Sequence, residues 1–113
     1  MTLGETQLPL EIGVDELATM RAAGVAHTIL DVREPWEIEI CGFEGALEVP
    51  LGSLPGRLAE IPGEHPLIVV CHVGQRSLLA ADWLRRADHP TARSLRGGVE
   101  AWALEIDPEM PRY

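Results

Sequence analysis

The chain has two cysteines, and one of them stands in a setting that suits sulfur chemistry. Cys71 lies within VVCHVGQRSLLAADWL (residues 69–84), where two β-branched residues give way to a cysteine, a glycine, an arginine and a serine, and then to an apolar, alanine-rich helical pattern. A cysteine at the end of an apolar strand is ordinarily a small buried hydrophobe. The residues after it argue for more. His72, Val73, Gly74 and Gln75 are too polar and flexible to continue a strand, and Gly74 permits a positive φ, so the chain can curl around the sulfur. A curled loop that runs into a helix turns backbone N–H groups inward, at the positive end of the helix dipole. Arg76 adds a permanent cation with planar donors, and Ser77, at the helix start, reads as a cap. Such a cradle favours the thiolate, the nucleophilic form of cysteine, at neutral pH.

The elements that must hold this loop follow from periodicity. VDELATMRAAG places Val14, Leu17, Ala18 and Ala22 on one helical face, with acidic residues in the first turn and Gly24 as a stop. HTILDVR reads as a buried strand, EPWEIE as a short helix with Pro35 at its first position, and ALEVP as a short strand. SLPGRLAEI spaces Leu54, Leu58 and Ile61 as a helix that Pro62-Gly63 ends. PLIVV, a continuous apolar run, is expected to be a central parallel strand covered on both faces. In SLLAADWLRRA the expected buried stripe is Leu79, Ala80, Trp83, Leu84 and Ala87, with Asp82 and Arg86 paired on the wet side. ARSL is a last strand, Gly97-Gly98 a tight turn and VEAWAL a last helix. This alternation predicts a single α/β domain over residues 1–113, with a mostly parallel sheet of about five strands flanked by helices. Ligands bind such sheets outside the carboxyl ends of the strands, which is where Cys71 falls.

Composition removes other classes of function. The formal net charge is −9, and all nine basic residues are arginine, so Schiff-base chemistry through lysine is excluded and nucleic acid is a poor partner. An anionic substrate needs a local site that overrides the overall field. The two cysteines are too few for a disulfide scaffold, and His27, His65, His72 and His89 lack zinc-like spacing. No apolar run is long enough to cross a membrane. The opening MTLGETQLPLEIG has no basic region or long apolar stretch, and the expectation is a cytoplasmic monomer without metal or cofactor.

The run C-x-x-G-x-R-S, here Cys71, Gly74, Arg76 and Ser77, resembles the active loop of the rhodanese family of sulfurtransferases. LDVREPWE (Leu30 to Glu37), GFEGALEVPL (Gly42 to Leu51) and LRGGVEAW (Leu95 to Trp102) resemble the family's flanking motifs in the same order, and DPEMPRY resembles stand-alone bacterial members. The resemblance implies a rhodanese-like domain in which Cys71 takes sulfane sulfur from a small anionic donor such as thiosulfate. Cys71 then passes it, as a persulfide, to cyanide, a thiol or a sulfur-carrier protein. On this view the loop from His72 to Arg76 stabilises negative charge and Arg76 orients the donor. His72 either sets a second polar group beside the sulfur or points away. Asp31 and Arg33 are expected to form an ion pair supporting the loop, with direct substrate contact by Arg33 as the alternative. Trp36 and Trp102 are expected to pack against the core, with a wall of the pocket as the alternative. Cys41 is followed by Gly42 and Phe43, where many members carry histidine after the glycine, which departs from the pattern.

Two rival functions remain open at this point. Cysteine phosphatases also use a thiolate, a nest and an arginine, but are expected to carry one residue more between cysteine and arginine than the four present here. Rhodanese-like binding modules have typically lost the cysteine.

Overall fold

A computed structural model describes residues 8–113; part of the opening segment, residues 1–7, lies outside the described residues, and with it that part of the reading of the start of the chain. The elements run β1 (Glu11–Ile12), α1 (Val14–Ala22), β2 (Thr28–Asp31), α2 (Pro35–Ile40), β3 (Leu47–Glu48), β4 (Leu67–Val70), α3 (Gln75–Arg86), β5 (Ala92–Leu95) and α4 (Gly98–Glu105). The sheet order is β1-β5-β4-β2-β3. Every pairing is parallel, so the sheet is wholly rather than mostly parallel.

PLIVV supplies the middle strand. All of β4 is buried, and its alternation divides the core in two. Leu67 and Val69 face one side with Leu30, Val32, Leu54, Ala80 and Leu84, whereas Ile68 and Val70 face the other with Ile12, Leu17, Val99 and Trp102. Because strand side chains alternate, Cys71 continues the first of these faces, the one covered by α3.

Four expectations are corrected. β1 was absent from the pattern reading, since two residues carry no periodicity; it is held by its pairing to β5 and by Arg93, which donates to the carbonyl oxygens of Pro9 and Glu11. SLPGRLAEI forms 3-10 turns at Leu51–Ser53 and Pro55–Glu60 rather than an α-helix. Pro55 lacks an N–H and Gly56 is a weak helix former, so only Leu54 and Ile61 reach the buried core. Within α3 the buried face is Ser77, Ala80, Ala81 and Leu84, and Leu79 is 67% exposed. A polar residue, Ser77, anchors that face, and an apolar count passes over it. Trp36 is 62% exposed whereas Trp102 is buried, so only the second tryptophan packs in the core.

The pair expected on the wet side of α3 agrees with the structure. His27, His65 and His89 lie between regular elements, and Asp82 pairs with Arg86 on the exposed side of α3.

Candidate active site

Cys71 is the first residue past β4 and is 1% exposed. Gly74 adopts φ +97°, which turns the loop sharply enough for the amides of Gly74 and Ser77 to reach Cys71 Sγ at 3.1 and 3.3 Å. The Ser77 hydroxyl lies 3.3 Å from the same sulfur and 2.7 Å from Ser94 Oγ. Ser77 is thus part of the sulfur's surroundings; Gly74 occupies the cap position, and no side chain caps α3. Of the amides expected to face the sulfur, His72 to Arg76, only that of Gly74 hydrogen-bonds it, and the second amide comes from Ser77, just beyond them.

The outer side of the loop is fixed by α4. The amides of Val99 and Glu100 donate to the carbonyl oxygens of Cys71 and His72, both at 3.0 Å. With those carbonyls held outward, N–H groups are left to turn in. Such close approach requires glycine, because a Cβ on Gly98 would stand 2.4 Å from both carbonyl oxygens, and one on Gly74 would stand 3.0 Å from Gly97 N. The LRGG run therefore belongs to the site, although its residue pattern alone reads only as a turn.

A second layer of polar groups supports the loop's arginine. Arg76 is clasped by Glu37 of α2, Nη1 to Oε1 at 2.7 Å and Nη2 to Oε2 at 2.8 Å. Tyr113 donates its hydroxyl to Glu37 Oε2 at 2.9 Å and accepts from Arg33 Nη1 at 3.0 Å. Arg33 in turn pairs with Asp31 at 2.7 Å and donates to the Cys41 carbonyl oxygen at 2.7 Å. The Asp31–Arg33 pair exists as expected, and with Arg33 0% exposed its support reaches the loop through Tyr113 and Glu37. Burial pushes the Tyr113 phenol up to about 12, so it keeps the proton it donates.

The Tyr113 ring stacks on His72 at 4.0 Å between centroids and 12° between planes, and meets Trp36 edge-on at 6.0 Å. His72 therefore spends its ring on Tyr113. Val73 and Gln75 are exposed. Cys41, at the end of α2, is buried in the opposite core cluster to Cys71, with Arg33 Nη1 at 3.8 Å from its sulfur. Sequence reasoning overlooked Ser94, Glu37 as a partner of Arg76, and Tyr113. Ser94 was accessible to it, since Ala92 and Ser94 alternate onto the Cys71 side of the sheet.

Acid stability offers a check on the clasp. The bidentate guanidinium of Arg76 holds the Glu37 carboxyl down at about 2, against the opposing effect of burial. A folded-state value below the unfolded one stabilises the fold at higher pH, and that share is lost as pH falls through the unfolded value toward the folded one. Urea titrations at successive pH values are expected to show stability falling between about pH 5 and about pH 2. Glu37→Gln should flatten that decline by on the order of 2 kcal/mol, less than the full shift because Arg76 is partly solvated. An unchanged slope would contradict the clasp.

Comparison with known proteins agrees with this geometry. The family model described as Rhodanese-like domain matches residues 13–105. A sulfurtransferase of Allochromatium vinosum is 32% identical over 93 residues, covering 82% of this chain and 87% of that protein. Rhodanese-like/PpiC domain-containing protein 12, chloroplastic, of Arabidopsis thaliana is 35% identical over 118 residues, covering 98% of this chain and 40% of that one. The chain spans 21% to 40% of the length of the first curated relatives it matches. Among solved structures, a rhodanese-like domain protein from Staphylococcus aureus superposes with a TM-score of 0.78 at 25% identity, covering 93% of this chain and 99% of that one. Among the described residues, no helix is long and apolar enough to cross a membrane. The parallel sheet, the cysteine loop at its carboxyl end and these relatives lead to one statement: the chain belongs to the rhodanese-like domain family.

Proposed function

We propose that Cys71 is the nucleophile of a sulfur transfer from a donor such as thiosulfate to a thiophilic acceptor, with a Cys71 persulfide between the two half-reactions. The observation that carries this reading is the convergence of two backbone amides, those of Gly74 and Ser77, on Cys71 Sγ at 3.1 and 3.3 Å, with the thiol in turn donating to the Ser77 hydroxyl oxygen at 3.3 Å. Such N–H groups are placed to stabilise negative charge that develops on sulfur during transfer.

In the first half-reaction the thiolate attacks the outer sulfur of thiosulfate. The donor's S–S bond breaks, sulfite leaves with the electron pair, and Cys71 carries one added sulfur. Arg76, 35% exposed at its side chain, helps to orient the donor. In the second half-reaction cyanide, a thiol or a sulfur-carrier protein attacks that outer sulfur, and the Cys71 thiolate is restored. This is ping-pong covalent catalysis.

Loop length argues against phosphoryl transfer. Four residues separate Cys71 from Arg76, so the ring of donors is tight around one terminal atom, whereas a phosphoryl group must seat three oxygens. Two assays on the unmodified protein test this. Thiosulfate and cyanide should yield thiocyanate and sulfite, while p-nitrophenyl phosphate should not turn over. Robust phosphatase turnover that disappears in Cys71→Ser would overturn the proposal.

A further inference from the structure

Charge beside the loop is balanced pair by pair. Arg76 is neutralised by Glu37 at 2.7 Å, and Arg33, which braces the network behind it, by Asp31 at 2.7 Å. Arg96, next to the Gly97 turn, pairs with Glu11 at 3.4 Å. Arg112 pairs at 2.6 Å with Glu100, whose own amide holds the His72 carbonyl. Each of these four arginines has its carboxylate, on a chain whose formal net charge is −9. The surface next to the loop is apolar and aromatic instead, with Val73 47% exposed, Trp36 62% exposed, and the Tyr113 ring between Trp36 and His72.

A dianionic donor gains little from such a surface. We propose that Glu37 is a specificity-determining residue of this site: by keeping Arg76 neutralised it disfavours dianionic donors relative to singly charged or uncharged sulfane-sulfur compounds, of which the persulfide of a thiol is the fitting class. The inference rests on the sulfurtransferase reading of Cys71. With a persulfide donor the step balances as it does with thiosulfate. The thiolate bonds to the outer sulfur, the donor's S–S bond breaks, and its electron pair leaves on the donor thiolate. Glu37 acts through Arg76 and touches no reacting atom in this scheme.

The test compares thiosulfate with methanethiosulfonate, in which a methyl group replaces one charged oxygen and sulfinate is the leaving group. The change in the ratio of their kcat/KM values from wild type to variant cancels differences in intrinsic reactivity that do not depend on the protein. Glu37→Gln frees the Arg76 charge and should raise the thiosulfate-to-methanethiosulfonate ratio about tenfold, the order expected for one unit charge removed beside a bound anion. A ratio unchanged within about twofold, in a variant whose melting shows it folded, would overturn the inference.

A second measurement uses the unmodified protein and needs no variant to fold. On a neutralised site in an acidic surface, added sodium chloride screens repulsion, so kcat/KM for thiosulfate should rise with salt and rise more steeply than for methanethiosulfonate. A steep fall with salt would mean that a free cation recruits the dianion, and would overturn the inference alone. Turnover of both donors that survives Cys71→Ser would overturn the sulfurtransferase reading, and the inference with it.

Discussion

Cys71→Ser is expected to reduce thiocyanate formation from thiosulfate and cyanide to the uncatalysed background, a loss on the order of 1,000-fold or more, because a serine oxygen cannot accept and store sulfane sulfur. The fold should survive. A hydroxyl can use the same partners that surround Sγ, accepting from the Gly74 and Ser77 amides and donating to the Ser77 hydroxyl oxygen, so the stability change should stay within about 1 kcal/mol. Cys41→Ser separates the two cysteines. Cys41 belongs to the opposite core cluster and its sulfur faces Arg33, so this variant should retain most of the activity. Inactivity of the Cys41 variant alongside an active Cys71 variant would reassign the site.

The next largest effect is expected at a residue with no side chain. Gly98 has φ +62°, and a Cβ there would meet the carbonyl oxygens of Cys71 and His72 at 2.4 Å and the His72 carbonyl carbon at 2.6 Å. All three are backbone, so Gly98→Ala must push the loop off α4. Denaturant unfolding should show a loss of about 3 kcal/mol or more, the sum of left-handed strain and steric displacement. Activity should fall even where the variant is fully folded, since the amides of Val99 and Glu100 no longer hold the carbonyls that orient the cradle. Gly24→Ala is the matched control. Its φ is +72° but nothing lies within 4 Å of its Cβ position, so it should cost only about 1 kcal/mol and leave turnover unchanged. Equal losses in the two variants would remove the loop contact from the explanation.

These two positions show what could be read from the sequence and what could not. Cys71 and its loop were legible because their signals are local. An apolar run ends, a glycine permits the turn, and a helical period starts within a few residues. The central place of Leu67–Val70 was legible for the same reason, since only a strand covered on both faces tolerates such a run. Glu37 and Tyr113 were not singled out, because each acts at the loop from a distant part of the chain, whereas Ser94 is reachable through strand alternation alone. Tyr113 touches His72, Glu37 and Arg33 together, and no spacing rule relates those four positions. The 3-10 segment was misread for a different reason. Leucines and an isoleucine at helical spacing looked like a helix, but the Pro55-Gly56 pair inside it outweighed the period. The exposed Trp36 inverts the usual preference of a tryptophan for the core, and packing against Tyr113 at the rim of the loop explains its position.

Sulfur carried by Cys71 is the event on which the mechanism depends, and intact-protein mass spectrometry reads it directly. Protein treated with thiosulfate and freed of excess donor should show an adduct of about 32 Da, the mass of one added sulfur in a persulfide. Cyanide should remove the adduct and release thiocyanate, and Cys71→Ala should never acquire it. The contrary result is a wild-type protein that remains at its unmodified mass after thiosulfate treatment, or an adduct that persists in Cys71→Ala.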